Sequence, residues 1–177
     1  IHLSREDLDT LFGKGYELTV KKYLMGREFA SEEVVTLVGK SLKSIENVRV
    51  LGPVRNKTQV EISKTDTFVL KVSPPVRPSG NVEGSERIVV VGPKGSVYLK
   101  EGVIIANRHI HVDKNIREKY GLVGINEVKV QINSLKGGIL DNVYLKDAEE
   151  AYFEIHLDMD DANAFFLNNS DEVEIIR

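Results

Sequence analysis

The chain of 177 residues has four histidines and no cysteine, and the histidines recur in one pattern. His109 and His111 lie inside Arg108-His109-Ile110-His111-Val112-Asp113, and the other two occupy echoes of it, Ile1-His2-Leu3-Ser4 and Ile155-His156-Leu157-Asp158. Residues i and i+2 of a β-strand share a face, so His109 and His111 present two imidazoles together while Ile110 turns to a core. Such a pair chelates one metal ion or brackets two. His156 stands ready as a third ligand, and His2 belongs to the same set. Neutral imidazole suits zinc and neighbouring divalent metals such as cobalt, nickel or iron, and a carboxylate often completes the ligand set. Glu61, in Gln59-Val60-Glu61-Ile62-Ser63, is the candidate carboxylate. The plainer alternative makes these ordinary histidines at strand ends and Glu61 part of a solvated face. Asp113 and Asp158 stand where a following helix needs an N-cap and are read as caps.

Arg55 and Arg108 occupy equivalent places when the chain is shifted by 53 positions, each after a β pattern and near a turn. A guanidinium beside a metal suits phosphate or carboxylate, because its planar fork donates two parallel hydrogen bonds. Gly39-Lys40-Ser41 resembles the end of a phosphate-binding loop, but the required upstream glycine is missing, so that reading is discarded.

The elements that must position these residues are mostly short strands. Ser4 caps a helix over 5–12 that Gly13 ends, with Leu8, Leu11 and Phe12 on one face. Residues 16–29 form a small excursion with one or two strands. Strands are expected over 34–38, 47–51, 58–62, 88–91, 96–99 and 103–105, where β-branched runs are bounded by Gly, Pro or Asn. Gly92-Pro93-Lys94-Gly95 is a turn, 63–70 starts a short helix, and Pro74, Pro75 and Pro78 impose an extended stretch. The 53-position shift also matches Val38-Gly39 with Val91-Gly92, which implies two related β-ribbons. A shift of 45 positions superposes Ile110-His111-Val112-Asp113 on Ile155-His156-Leu157-Asp158 and pairs Glu127-Val128 with Glu172-Val173. The unit so repeated is a strand with His, a short helix capped by Asp, a turn and a strand, with helices over 114–120 and 159–166. Many short strands with brief capped helices predict a mainly β protein of two small β-barrels, with the metal site between them. The first barrel domain covers 1–106, with a small inserted sheet around 13–33, and the second covers 107–177.

A hydrophobic fraction of 41% supports a buried core, and a net charge of -3 gives no reason to expect nucleic acid or a membrane as partner. The lack of cysteine excludes disulfides and thiolate metal sites. No apolar run is long enough to span a membrane, and no signal-peptide pattern opens the chain. The first residue is not Met, and we expect that a segment precedes Ile1.

Beyond these single features, the sequence resembles the phosphate propanoyltransferases, or phosphotransacylases, of bacterial metabolic microcompartments. The resemblance runs over nearly the whole chain and is carried by His2-Leu3-Ser4-Arg5-Glu6-Asp7-Leu8, Leu51-Gly52-Pro53 with Arg55, Thr58 to Ser63, Pro74-Pro75-Val76-Arg77 with Ser79-Gly80, Val91 to Ser96, Arg108 to His111, and Glu154-Ile155-His156. It implies a homodimer with two Zn2+ per subunit between two barrels. His109, His111 and His156 would hold one ion. His2 and Glu61 would hold the other, with a further His two residues before His2, and Arg55 would bind phosphate and serve in catalysis. On the family's pattern that upstream His and a first strand, which pairs into the second barrel, would precede Ile1. The implied reaction interconverts a short acyl-CoA, propanoyl-CoA above all, plus phosphate with acyl phosphate plus coenzyme A. Microcompartment shell or lumen proteins are the implied partners and the lumen the implied location. A metal-dependent thioester or phosphoester hydrolase is the alternative, and a scaffold stapled by metal is a third reading.

Overall fold

The computed structural model describes residues 1–24, 26–149 and 151–176. Met25, in the expected inserted sheet, and Glu150 and Arg177, in the expected second domain, lie outside them. The chain divides into two compact units, Ile1–Ala106 and Asn107–Arg177. Among the described residues no helix is long and apolar enough to cross a membrane.

The first unit runs β1 (His2–Ser4), α1 (Arg5–Phe12), β2 (Val20–Tyr23), β3 (Phe29–Val38), β4 (Ser44–Arg55), β5 (Val60–Glu61), α2 (Lys64–Leu70), β6 (Val76–Arg77), β7 (Glu86–Val91) and β8 (Ser96–Ala106). Both helices start where the sequence supplies a cap. The Asp7 amide donates to the Ser4 hydroxyl at 3.1 Å, and Ser63 and Asp66 form a reciprocal capping box. Along β3, Ser31, Glu33, Val35 and Leu37 turn inward while their neighbours face out, the alternation of a sheet with one buried face. The inward Glu33 carboxylate is satisfied by the Tyr16 hydroxyl and the Thr19 amide, which pins the excursion before β2. Leu3, Leu8, Leu11, Leu37, Val50 and Val90 form the centre of the core.

The sheet is ordered β1-β4-β3-β7-β8-β5, with β2 added on β3 and β6 on β8. The two ribbons related by the 53-position shift are β3–β4 and β7–β8, and β3 joins them by pairing with β7 at Leu37–Val90. β8 is one strand and not the expected two, because Gly102, at φ +133°, bends the chain at Lys100-Glu101-Gly102 without ending it. Conversely the strand expected over 58–62 is reduced to Val60–Glu61. The end strands meet at one isolated bridge, where His2 and Gln59 exchange backbone hydrogen bonds of 2.8 and 2.9 Å.

The second unit runs β9 (His109–Val112), α3 (Lys114–Lys119), β10 (Glu127–Ile132), β11 (Gly138–Asp147), β12 (Ile155–His156), α4 (Met159–Ala164) and β13 (Glu174–Ile176). Its sheet is ordered β12-β9-β11-β10-β13. Residues 45 positions apart face each other twice across antiparallel pairs, Ile110 with Ile155 and Val130 with Ile175. A local two-fold relation between the repeats gives that result. α3 and α4 are both capped by the predicted aspartates, Asp113 accepting from the Ile116 amide at 2.7 Å and Asp158 from the Asp161 amide at 2.8 Å. The protein is thus mainly β with two sheets, and neither closes into a continuous barrel among the described residues. The expected barrels are present to that extent only: a bridge of one residue pair in the first sheet, and an open row of five strands in the second.

Gly39 tests the packing of α2. A Cβ there would lie 2.1 Å from the Leu70 carbonyl oxygen, a backbone atom that cannot swing away. Gly39→Ala is expected to destabilise the protein by about 1–3 kcal/mol through overpacking. The check is the urea midpoint, which should fall with an unchanged slope.

Candidate functional site

β9 lies between β11 and β12, and all four of its residues are buried. Its pleat sends His109 and His111 to one face, and the antiparallel pairing of His156 with His109 brings the third imidazole beside them. Ring centroids are 4.9 Å apart for His109 and His111, 5.0 Å for His109 and His156, and 4.5 Å for His111 and His156. One nitrogen from each ring lies within 4.8 Å of the others, the one such convergence of three metal-binding side chains among the described residues.

The protonation pattern can be read from the partners. His109 Nδ1 lies 2.8 Å from the Asn107 carbonyl, which can only accept, so Nδ1 carries the hydrogen. In the neutral ring Nε2 is then a lone pair, and it sits 3.2 Å from His111 Nε2. Two ligands of a tetrahedral ion with bonds of about 2.0–2.1 Å are separated by roughly 3.3 Å. His111 Nδ1 is buried with no hydrogen-bond partner among the described residues. Burial, and then the neighbouring His156 and His109, depress the His111 pKa to about 3, which keeps the ring neutral. An imidazole tied through Nδ1–H to a carbonyl, with Nε2 aimed at two further imidazoles, is the arrangement metal-ligating histidines show. These residues fit a divalent cation.

His2, Glu61 and Arg55 belong to the first unit. β1 runs parallel to β4, with His2 opposite Leu51 and Ser4 opposite Arg55, and on its other side His2 bridges Gln59. His2 is buried and Glu61 is exposed, on segments that this bridge makes neighbours. Arg55 ends β4 and donates through Nη2 to Glu28 at 2.6 Å. The reading of the residues missed Gln59, which is 2% exposed. Its amide donates to Glu61 at 2.5 Å and to the Ser79 hydroxyl at 3.0 Å, and its oxygen accepts from the Gly80 amide at 2.7 Å. A polar residue at i-2 from the candidate carboxylate, inside a β-branched run, was the available signal.

Arg108 spends its fork on a carboxylate of its own fold and does not offer it to an incoming anion. Nε and Nη2 each donate to the Asp161 carboxylate at 2.9 Å, and Nη1 donates to the Asp141 carbonyl at 2.9 Å. The expectation that Arg108 suits a phosphate is therefore replaced by an internal clasp.

The fold and this site define a mainly β protein with a histidine cluster of metal-binding type. The sequence pattern of the phosphate propanoyltransferase family matches residues 1–168. A Thermotoga maritima protein named phosphate propanoyltransferase is 51% identical over 178 residues, spanning 99% of this chain and 84% of the relative. Relatives of the same name from Lachnoclostridium phytofermentans and Rhodopseudomonas palustris are 48% and 45% identical, over 93% and 100% of this chain and 77% and 78% of their own lengths. The chain belongs to the phosphate propanoyltransferase family and is an enzyme of phosphate acyl transfer.

Gln59 offers a test of the first unit's polar network. Gln59→Ala leaves the Gly80 amide and the Glu61 carboxylate without this partner, and should cost about 1–3 kcal/mol. Gln59→Glu should cost more, because it sets a second carboxylate against Glu61. Urea unfolding of both variants measures the difference, and equal midpoints for the two would remove Gln59 from its place beside Glu61.

Proposed function

We propose that the chain transfers a short acyl group, propanoyl above all, between coenzyme A and orthophosphate at a zinc centre held by His109, His111 and His156. The observation that carries this reading is the convergence of three imidazoles, one fixed as a ligand-ready tautomer, in a member of this family. His2 and Glu61 would hold a second Zn2+ where Gln59 steadies the carboxylate. Bound metal supplies Lewis acidity toward the thioester carbonyl or the departing thiolate.

The remaining chemistry falls to the chain itself. Arg55 exchanges its contact with Glu28 for a phosphate oxygen pair, holds the anion for attack on the thioester carbonyl and offsets its charge. A phosphate oxygen forms its bond to the thioester carbon, the carbon–sulfur bond breaks, and coenzyme A leaves as the thiolate. The reverse reaction follows the same path. The chain has no cysteine to form an acyl-thioenzyme, and the reading is direct transfer to phosphate. The architecture of the family is proposed with it. The His2–Gln59 bridge marks the seam of a first barrel, and a further strand beside β12 and β13 would complete a second. A homodimer in a microcompartment lumen, among shell or lumen proteins, completes the reading by resemblance.

Propanoyl-CoA supplied with and without phosphate separates transferase from hydrolase. Release of coenzyme A should require phosphate and yield propanoyl phosphate, whereas release that ignores phosphate would favour the hydrolase. Arg55→Ala should raise the KM for phosphate about 10- to 100-fold, the loss expected of a charge-assisted hydrogen-bonded pair, with the KM for propanoyl-CoA little changed. Chelation should abolish turnover and Zn2+ restore it. Proton competition at His111 should set in only far below the ordinary imidazole range, because burial holds that ring neutral down to about pH 3, so acid should release the metal late. Full turnover in metal-free protein would end the zinc reading.

A further inference from the structure

β12 is the weak point of the histidine cluster. Among the described residues it holds His156 against β9 through two paired residues, Ile155 opposite Ile110 and His156 opposite His109, and one further bond from the His111 amide to the Glu154 carbonyl at 3.1 Å. The helix that follows, α4, buries none of its residues. At its far end the Phe165 carbonyl accepts from the Ser134 hydroxyl, and beside His156 Leu157 packs against the core of the unit, a contact that carries no direction.

Arg108 adds a directional hold at the same end. It immediately precedes His109, and its backbone carbonyl is fixed by the Tyr144 amide at 3.1 Å. From there its side chain forks onto Asp161 with two bonds of 2.9 Å and reaches the Asp141 carbonyl on β11 with a third. The Asp161 amide donates in turn to Asp158, two residues after His156. One guanidinium therefore joins the strand carrying two imidazoles, the strand beside it and the helix that follows the third imidazole.

We infer that the Arg108–Asp161 clasp is a positioning device that sets His156 at ligand distance from His109 and His111 and so determines the metal affinity of the cluster. This rests on the zinc reading above. A planar, two-pronged pair between partly shielded groups fixes direction as well as separation, which an ammonium cannot do. The partial exposure of both side chains, 32% and 22%, leaves the geometry, more than the bare Coulomb attraction, as its contribution.

The test uses the full chain and Zn2+ itself. Dissociation constants are measured by competition with a chromophoric chelator for wild type, Arg108→Ala, Arg108→Lys and Asp161→Asn. Asp161→Asn keeps the shape of the side chain and guards against a variant that fails to fold. Each substitution should weaken Zn2+ binding about 10- to 100-fold, the range seen when supporting partners of metal ligands are removed. Arg108→Ala combined with Asp161→Asn should be no worse than the weaker single variant. Lys114→Ala, which removes an exposed ion pair on α3, should change nothing. In metal-free protein, hydrogen exchange in the Ile155–His156 segment should accelerate in the clasp variants. Wild-type affinity and wild-type exchange in both Arg108→Ala and Asp161→Asn would overturn the clasp alone. A wild-type chain that takes up no Zn2+ would overturn the metal centre and this proposal together.

Discussion

The candidate metal centre depends on one short contact, the antiparallel pairing of Ile155 and His156 with Ile110 and His109. A strand pleat already puts His109 and His111 on one face. Only a neighbouring strand in the right register can add a third ring, and a slip of one residue would send His156 to the opposite face. The register is held by apolar residues as well as by backbone bonds. Ile110 is buried in the core of the second unit and Ile155 packs against that core, so the chemistry of the histidines is set by the burial of the isoleucines between them.

The same segment also shows how a repeat builds a site. Two copies of a strand-and-capped-helix unit meet with equivalent residues opposite each other at Ile110–Ile155 and at Val130–Ile175. A two-fold arrangement of this kind places His111 and His156, equivalent in sequence, on adjacent strands with ring centroids 4.5 Å apart. His109 has no counterpart in the second copy, where Glu154 stands instead. The symmetry therefore gives two of the clustered imidazoles, and its violation gives the third. In the first unit the polar set is organised differently. His2 and Gln59 exchange backbone hydrogen bonds at the seam of the sheet, and the buried Gln59 amide turns back on Glu61 and the Ser79-Gly80 loop.

Much of this was legible in the residues, for reasons that are local. The caps at Ser4, Asp113 and Asp158 follow from side chains that bond amides three residues on, and short-range chemistry of this kind survives in any fold. The His-x-His face and the 45-position repeat were equally readable, because both are spacings. Strand lengths were not. Gly102 carries β8 through a stretch that looks like a break, and the strand around Val60 is shortened where Gln59 turns to the seam. Those outcomes depend on which strand lies alongside, a property of the sheet and not of the segment. The partners of Gln59 and Arg108 were hidden for the same reason, since Ser79 and Asp161 lie 20 and 53 positions away.

The two arginines make that point sharply. Arg55 and Arg108 fall on one position of the 53-residue alignment, and sequence alone offers the same anion-binding role to both. The structure separates them by how their nitrogens are engaged. All three Arg108 nitrogens donate within the fold, two of them to a single carboxylate, so an incoming anion would have to dismantle a formed ion pair and release α4. Arg55 has its described side-chain hydrogen bond through Nη2 alone, to a Glu28 that is itself 38% exposed. Exchanging one partly solvated carboxylate for a phosphate costs far less than breaking a clasp, because surface pairs of that kind are worth about 0–1 kcal/mol. The division of labour follows from this inequality: Arg108 serves the geometry of the histidines, and the proposed phosphate contact falls to Arg55.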